Sequence, residues 1–69
     1  MSQEARKSIA KKVKELRKLA GLNKEQLSLA LNLDNSYISK LENEKINITI
    51  DRLEQISFFF NVKIKTFFN

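Results

Sequence analysis

The sequence contains no cysteine, no histidine, no proline and a single glycine. Without cysteine it forms neither a disulfide nor a thiolate metal site, and without histidine it lacks the usual zinc ligand and general base. A single glycine excludes a glycine-rich loop for phosphate groups, and the absence of proline removes the strongest helix breaker. An enzyme would depend on Asp, Glu, Lys, Ser or Tyr alone, and no paired nucleophile and base is evident among them. The composition therefore indicates a binding protein that uses no metal or cofactor.

The chain is short for a protein domain. Its 69 residues predict one domain over residues 1–69, with residues 1–7 as a frayed N-terminal extension and no second domain to hold a small-molecule ligand. A domain of this size buries only roughly 60% of the surface that its unfolded chain exposes, so its stability is marginal. We therefore expect a second chain to complete the structure.

Positive charge is concentrated in the first third of the chain. Residues 1–24 contain eight basic and two acidic side chains, whereas the remainder contains five and six, and the net charge is +5. Such an excess suits a nucleic-acid backbone or an anionic membrane surface. A membrane partner is disfavoured because no apolar run approaches the ~18 residues of a span and the apolar face of residues 1–20 lacks aromatic side chains. We expect a cytoplasmic protein of a bacterium or phage, associated with the nucleoid.

The first predicted helix runs from Ser8 to Ala20. Its inward apolar residues have the four, three, four spacing of one helical face, and they are Ile9, Val13, Leu16 and Ala20. Ser8 is a suitable N-cap, although Ser2 could start the helix one or two turns earlier. Gly21 ends the helix in the left-handed conformation.

Two short helices joined by a tight turn follow. Asn23 and Gln26 form a variant capping box for the second helix, and Asn32 is suited to end it in the left-handed region. Asp34 is the predicted N-cap of a third helix that ends near Glu42. The turn between them is about three residues long, which predicts a helix-turn-helix.

The C-terminal third contains one clear helix and one ambiguous segment. Thr49 is the predicted cap of a fourth helix, with Leu53, Ile56 and Phe60 inward and Asn61 as its end. Residues 62–68 alternate like a strand, yet their apolar positions also suit a short fifth helix, which we favour. The predicted fold class is all-α, a compact five-helix bundle.

The segment LNKEQLSLALNLDNSYISKLENEK, residues 22–45, resembles the helix-turn-helix of the lambdoid phage repressors and Cro proteins. The likeness extends over residues 9–68, and it includes Arg17 four residues before Gly21 and the LEN-x-K ending of the third helix. Within this family, NLDNSYISKLENEKINITIDRLEQI and NVKIKTFF resemble the controller proteins of restriction-modification systems. Three positions depart from the family pattern: Lys24 replaces glutamine, and Asn32 and Glu44 replace glycines.

The resemblance implies a sequence-specific DNA-binding function and a role for particular residues. The candidate base-contacting residues occupy the outward face opposite Ile38 and Leu41, and they are Asn35, Ser36, Ser39 and Lys40. Of these, Asn35, Ser36 and Lys40 match the family's base-contacting positions. The positions that match phosphate-contacting residues are Lys24, Tyr37, Asn43, Lys45 and Asn47. The resemblance also implies that Arg17 and Glu42 form a largely buried structural ion pair, for which a bidentate arginine is well suited.

Phenylalanine is concentrated near the C-terminus, with five in residues 58–68. One short helix cannot bury so many on a single face, and we expect Phe60 and Phe67 in the core. An exposed aromatic patch typically marks an interface, so residues 49–69 are the predicted dimerisation end. The predicted contacts are Phe58, Phe59, Ile64 and Phe68. If residues 62–68 formed a strand, the dimer could instead form by strand pairing.

The sequence alone leaves two functions open. The first is a transcriptional regulator that binds a double-stranded DNA operator as a homodimer and represses or activates nearby genes, with Glu25, Glu42 or Glu44 contacting RNA polymerase. The second is an antitoxin-type or phage repressor module whose phenylalanine-rich end binds a partner protein.

Overall fold

Within residues 2–68, which the computed structural model describes, the chain forms four α-helices and a C-terminal 3₁₀ helix. These elements are α1 (Gln3–Leu19), α2 (Lys24–Ala30), α3 (Tyr37–Glu42), α4 (Ile50–Phe60) and the 3₁₀ helix (Ile64–Phe68). The all-helical prediction is confirmed, but the fifth element is a 3₁₀ helix, so the bundle has four α-helices rather than five. None of the helices within these residues is long and apolar enough to cross a membrane.

Helix α1 begins earlier than its apolar spacing indicated. The Ser2 hydroxyl accepts a hydrogen bond from the Ala5 N–H at 3.1 Å, so Ser2 is the N-cap and residues 3–7 belong to the helix. The prediction that Ser8 caps α1 is wrong, because its hydroxyl instead donates to the carbonyl of Phe67 at 2.7 Å. Ala20 is exposed rather than inward, and Arg17 takes the last buried position of the helix.

The capping of α2 is as predicted, whereas the turn that follows is longer. Asn23 and Gln26 exchange both bonds of the capping box, at 2.7 and 2.8 Å, and Asn32 has a φ of 61°. Six residues, 31–36, separate α2 from α3. The prediction that Asp34 is the N-cap of α3 is wrong, because the Tyr37 N–H bonds to the Asp34 carbonyl and closes a turn before the helix begins.

Helix α4 has the predicted limits. The Thr49 hydroxyl accepts from the Arg52 N–H at 3.1 Å, and Asn61 ends the helix with a φ of 56°. The chain beyond it is not a strand: the Thr66 N–H bonds to the Lys63 carbonyl at 2.9 Å, and Phe67 is completely buried. Burial of Phe67 against α1 coils this segment back onto the domain, which removes the basis for dimerisation by strand pairing.

A single apolar core joins all five elements. Its buried members are Ile9, Val13, Leu27, Leu31, Ile38, Leu41, Ile48, Leu53, Ile56 and Phe67. Phe60 is only half-buried and packs at the edge of this core. Because α3 has only six residues, its two buried side chains, Ile38 and Leu41, fix which of its faces is presented to solvent.

Candidate nucleic-acid interface

The buried hydroxyl of Ser28 joins α2 to the start of α3. It accepts a hydrogen bond from the Ile38 N–H at 3.0 Å and donates one to the Lys24 carbonyl at 2.9 Å. The first N–H groups of a helix have no partner within that helix, so Ser28 satisfies one that would otherwise be buried without a bond. Ser28 was not predicted to be functional. Its only signal in the sequence is a small polar residue next to the inward Leu27.

Arg17 and Glu42 join the end of α1 to the end of α3. The guanidinium donates through Nε and Nη2 to the two carboxylate oxygens, at 2.7 and 3.1 Å, and through Nη1 to the Leu22 carbonyl at 2.9 Å. The two side chains are 8% and 4% exposed. This bidentate pair therefore fixes α3 at its C-terminal end, as Ser28 does at its N-terminal end.

The residues predicted to contact bases lie partly before α3 rather than on it. Asn35 is exposed in the turn, and its amide lies 3.4 Å from a carboxylate oxygen of Glu25. Ser36 is half-buried and donates through both its N–H and its hydroxyl to Asp34, at 2.9 and 2.8 Å. These two bonds, with a smaller contribution from Lys40, hold the pKa of the Asp34 carboxyl below its ordinary value. On α3 itself, Ser39 is half-buried and Lys40 is exposed.

Four of the five residues predicted to contact phosphates are exposed around α3. Lys24 is the first residue of α2, Asn43 follows the end of α3, and Lys45 and Asn47 lie in the segment that leads to α4. We define the recognition surface as the exposed predicted contacts: Lys24, Asn35, Lys40, Asn43, Lys45 and Asn47. The surface carries three lysines and three amides, which is the chemistry that contacts phosphates and base edges.

The fifth residue, Tyr37, is half-buried beneath Arg52. The guanidinium carbon of Arg52 lies 5.7 Å from the centre of the Tyr37 ring. Arg52 also donates to the Gln55 side chain at 2.6 Å, and Gln55 donates to the Leu31 carbonyl at the end of α2 at 2.8 Å. Burial raises the pKa of the Tyr37 hydroxyl, and the charge and the hydrogen bonding of the Arg52 guanidinium oppose this only in part, so the hydroxyl remains protonated and able to donate. Arg52 was not predicted from the sequence.

Three of the four predicted dimer contacts are exposed. Phe58, Phe59 and Phe68 are 89%, 41% and 46% exposed, whereas Ile64 is half-buried against the core. Phe58 borders two open grooves on α4. The smaller, of about 350 Å³, is lined by Ala30, Leu31, Gln55, Phe58 and Phe59, and we name these residues the phenylalanine face. The larger, of about 700 Å³, lies between Phe58 and the segment that includes Ile64, and Phe68 lines neither groove.

Comparison with known proteins decides the family. Residues 13–67 match the helix-turn-helix family HTH_3, which is of the Cro/C1 type. The chain belongs to this helix-turn-helix family. Among solved structures, this helix-turn-helix protein is similar to the crystal structure of a hypothetical transcription factor, NHTF, from Neisseria. The TM-score is 0.87 at 23% identity, over 97% of this chain and 79% of that one. No curated protein matches.

Family membership gives the chain its general function. The HTH_3 proteins are DNA-binding transcriptional regulators, and this helix-turn-helix protein is one of them. The similarity to the Neisseria protein shows that the two share a fold.

Proposed function

We propose that this helix-turn-helix protein is a sequence-specific regulator that binds a pseudo-palindromic operator as a homodimer. The observation that carries the proposal is the rigid attachment of α3 at both ends. Ser28 holds its first turn and the Arg17–Glu42 pair holds its last, while the side chains on its outer face remain free for DNA. Base recognition requires side chains that are held in place before binding, because ordering them on binding costs affinity.

The predicted DNA contacts divide into two roles. Asn35, Ser36, Ser39 and Lys40 contact base edges in the major groove, where an amide suits adenine and a lysine suits guanine. The remaining contacts, from Lys24, Tyr37, Asn43, Lys45 and Asn47, bind phosphates on either side and position the protein. The Ser36 hydroxyl already donates to Asp34, so it can accept a hydrogen bond from a base amino group but must give up the bond to Asp34 before it donates to a base.

The phenylalanine face supports the homodimer. Phe58 is almost fully exposed and stands beside an apolar groove, so two copies related by a two-fold axis could each place Phe58 in the groove of the other. Dimers of helix-turn-helix proteins bind half-sites about 34 Å apart, one turn of DNA.

The regulatory outcome follows from where the operator lies, and the sequence likeness favours a controller of a restriction-modification system. If the protein activates transcription, the acidic contacts to RNA polymerase come from Glu25 and Glu44. Glu42 is unsuited to this role, because its carboxylate is buried and bonded to Arg17. If instead a different protein occupies the phenylalanine face, the second candidate function applies, an antitoxin-type module.

The test starts from DNA duplexes selected from a random pool by the wild-type protein, and compares two substitutions on them. We expect Asn35→Ala to lose about 1–3 kcal/mol of discrimination at one base pair while the salt dependence stays unchanged. We expect Lys24→Ala to weaken binding to selected and random duplexes alike and to reduce the salt slope by about 1.

Lys65→Gln serves as the control, since Lys65 is an exposed lysine on the 3₁₀ helix, outside the recognition surface. It should leave both discrimination and slope close to wild type. Selection of no common sequence, or binding that is insensitive to salt, would contradict the proposal.

A further inference from the structure

Arg52 combines three features in the structure: it is half-buried, it is held in place from two sides, and its charge is not neutralised. One side of the guanidinium faces the Tyr37 ring, and Nη1 is bonded to Gln55. Gln55 is itself bonded to the Leu31 carbonyl, so the guanidinium is connected through one amide to the end of α2. An arginine held in this way has already lost most of the side-chain entropy that binding would otherwise cost.

Arg52 differs from Lys12 and Arg17 in that it forms no ion pair within residues 2–68. Within residues 2–68 the ion pairs are Lys12 with Glu15 and Arg17 with Glu42, and neither includes Arg52. A guanidinium has five N–H donors; one is bonded to Gln55 and another acts on the Tyr37 oxygen, so further donors remain free. Arg52 therefore keeps both a net charge and free donors beside the first residue of α3.

We propose that Arg52 contacts a DNA phosphate together with Tyr37, as one composite site at the start of α3. The Tyr37 hydroxyl donates one hydrogen bond and the guanidinium donates one or two more to the same stretch of backbone. The inference rests on the proposed DNA-binding function and adds a residue from α4 to the recognition surface. It assigns to α4 a part in DNA binding in addition to its part in the core.

The experiment measures the affinity of the full chain for the selected duplex, and for a random-sequence duplex, over a range of salt concentrations. Arg52→Gln should reduce the slope of log K against log salt by about 0.9, which is the loss of one phosphate contact. If the affinities of variant and wild type are equal at 1 M salt, this change in slope corresponds to roughly eightfold weaker binding of the variant to both duplexes at 0.1 M salt. Arg52→Lys keeps the charge and should retain most of the slope, and Lys65→Gln should leave it unchanged.

A purely structural role for Arg52 predicts a different pattern. If Arg52 only holds Tyr37 in place, Arg52→Gln will weaken binding without changing the slope, and Arg52→Gln combined with Tyr37→Ala will bind no worse than Tyr37→Ala alone. Either result would overturn the inference. Because Tyr37 is the one tyrosine of the chain, its ring signals in an NMR spectrum show whether each variant keeps the ring in its native position.

The outcomes also separate this inference from the proposed function. If the wild-type protein binds no duplex in a salt-dependent manner, the proposed function fails. If the wild-type protein binds as expected and Arg52→Gln behaves like Lys65→Gln, only the assignment of Arg52 fails.

Discussion

The ion pair between Arg17 and Glu42 fixes the C-terminal end of α3 against the end of α1. Both side chains are almost fully buried, and all three donor nitrogens of the guanidinium are used, two by Glu42 and one by the Leu22 carbonyl. The pair joins α1, the segment before α2 and the end of α3. Removal of one charge would leave the other buried without compensation, which is costly in an environment of low polarity.

We therefore expect Glu42→Gln to lower the free energy of unfolding by about 3–5 kcal/mol, as measured by thermal or urea denaturation. In a domain of this size that is a large part of the total stability. Glu44→Gln, two residues away, should change it little, because the Glu44 carboxylate forms no ion pair within residues 2–68.

Replacement of both partners by apolar residues, Arg17→Met with Glu42→Leu, should recover much of the loss because no charge is then buried. A melting curve for Glu42→Gln that matches wild type would contradict the energetic role assigned to the pair.

Single residues with positive φ show which turns could be predicted and which could not. Gly21, Asn32 and Asn61 are the residue types that tolerate the left-handed region, and their φ values are 73°, 61° and 56°. Glu44 has a φ of 59° but is not such a residue type. The family likeness identified a glycine as usual at this position, yet the propensity of glutamate alone gives no sign of the turn.

At the scale of elements, Glu44 lies just beyond the end of α3, where its N–H bonds to the Leu41 carbonyl at 3.0 Å. A left-handed conformation costs a residue with a Cβ about 1–2 kcal/mol, whereas glycine adopts it freely but loses about 0.4–1 kcal/mol more entropy on folding. We expect Glu44→Gly to stabilise the domain by about 0.5 kcal/mol in urea denaturation.

Glu44→Ala is the matched control, since it removes the same carboxylate but keeps the Cβ. It should show no gain. A glycine variant that is less stable than the alanine variant would show that the backbone at this position is not strained.

The helices could be predicted from local sequence, whereas the contacts that orient them could not. Apolar spacing and caps define α2, α4 and the end of α1, because these signals act within a few residues, whereas the start of α1 was placed too late. The start of α3 was misplaced because Asp34 can cap either a helix or a tight turn, and the bond to Ser36 decides for the turn. Ser28 and Arg52 act through residues that are 10 and 15 positions away in the chain, and no local pattern reveals such partners.

The form of the C-terminal segment, residues 62–68, also depends on contacts that are distant in the chain. Alternating residues in 62–68 are compatible with a strand or a helix, and local preference does not choose between them. The choice is made by Phe67, which is buried in the core, and by the bond from Ser8, which lies 59 residues earlier. Tertiary packing of one aromatic side chain thus determines the form of the segment.

For the whole molecule, charge and apolar surface serve different purposes. Most of the positive excess lies on α1, where Lys7, Lys11, Lys14 and Lys18 are exposed and attract DNA over a distance. The recognition surface carries three lysines and three amides, which is the composition that the proposed contacts to phosphates and base edges require. The exposed phenylalanines are the part of the surface that a small domain can cover by forming a dimer.

If two copies pair through the phenylalanine face and bind one operator together, the mass of the protein–DNA complex in sedimentation will show it. Phe58→Ser and Leu19→Ser form a matched pair, since both residues are at least 85% exposed but Leu19 lies on α1, outside the phenylalanine face. We expect two chains per selected duplex for the wild type and for Leu19→Ser, and a shift toward one chain for Phe58→Ser at the same concentration. One chain per duplex for the saturated wild-type protein would contradict this expectation.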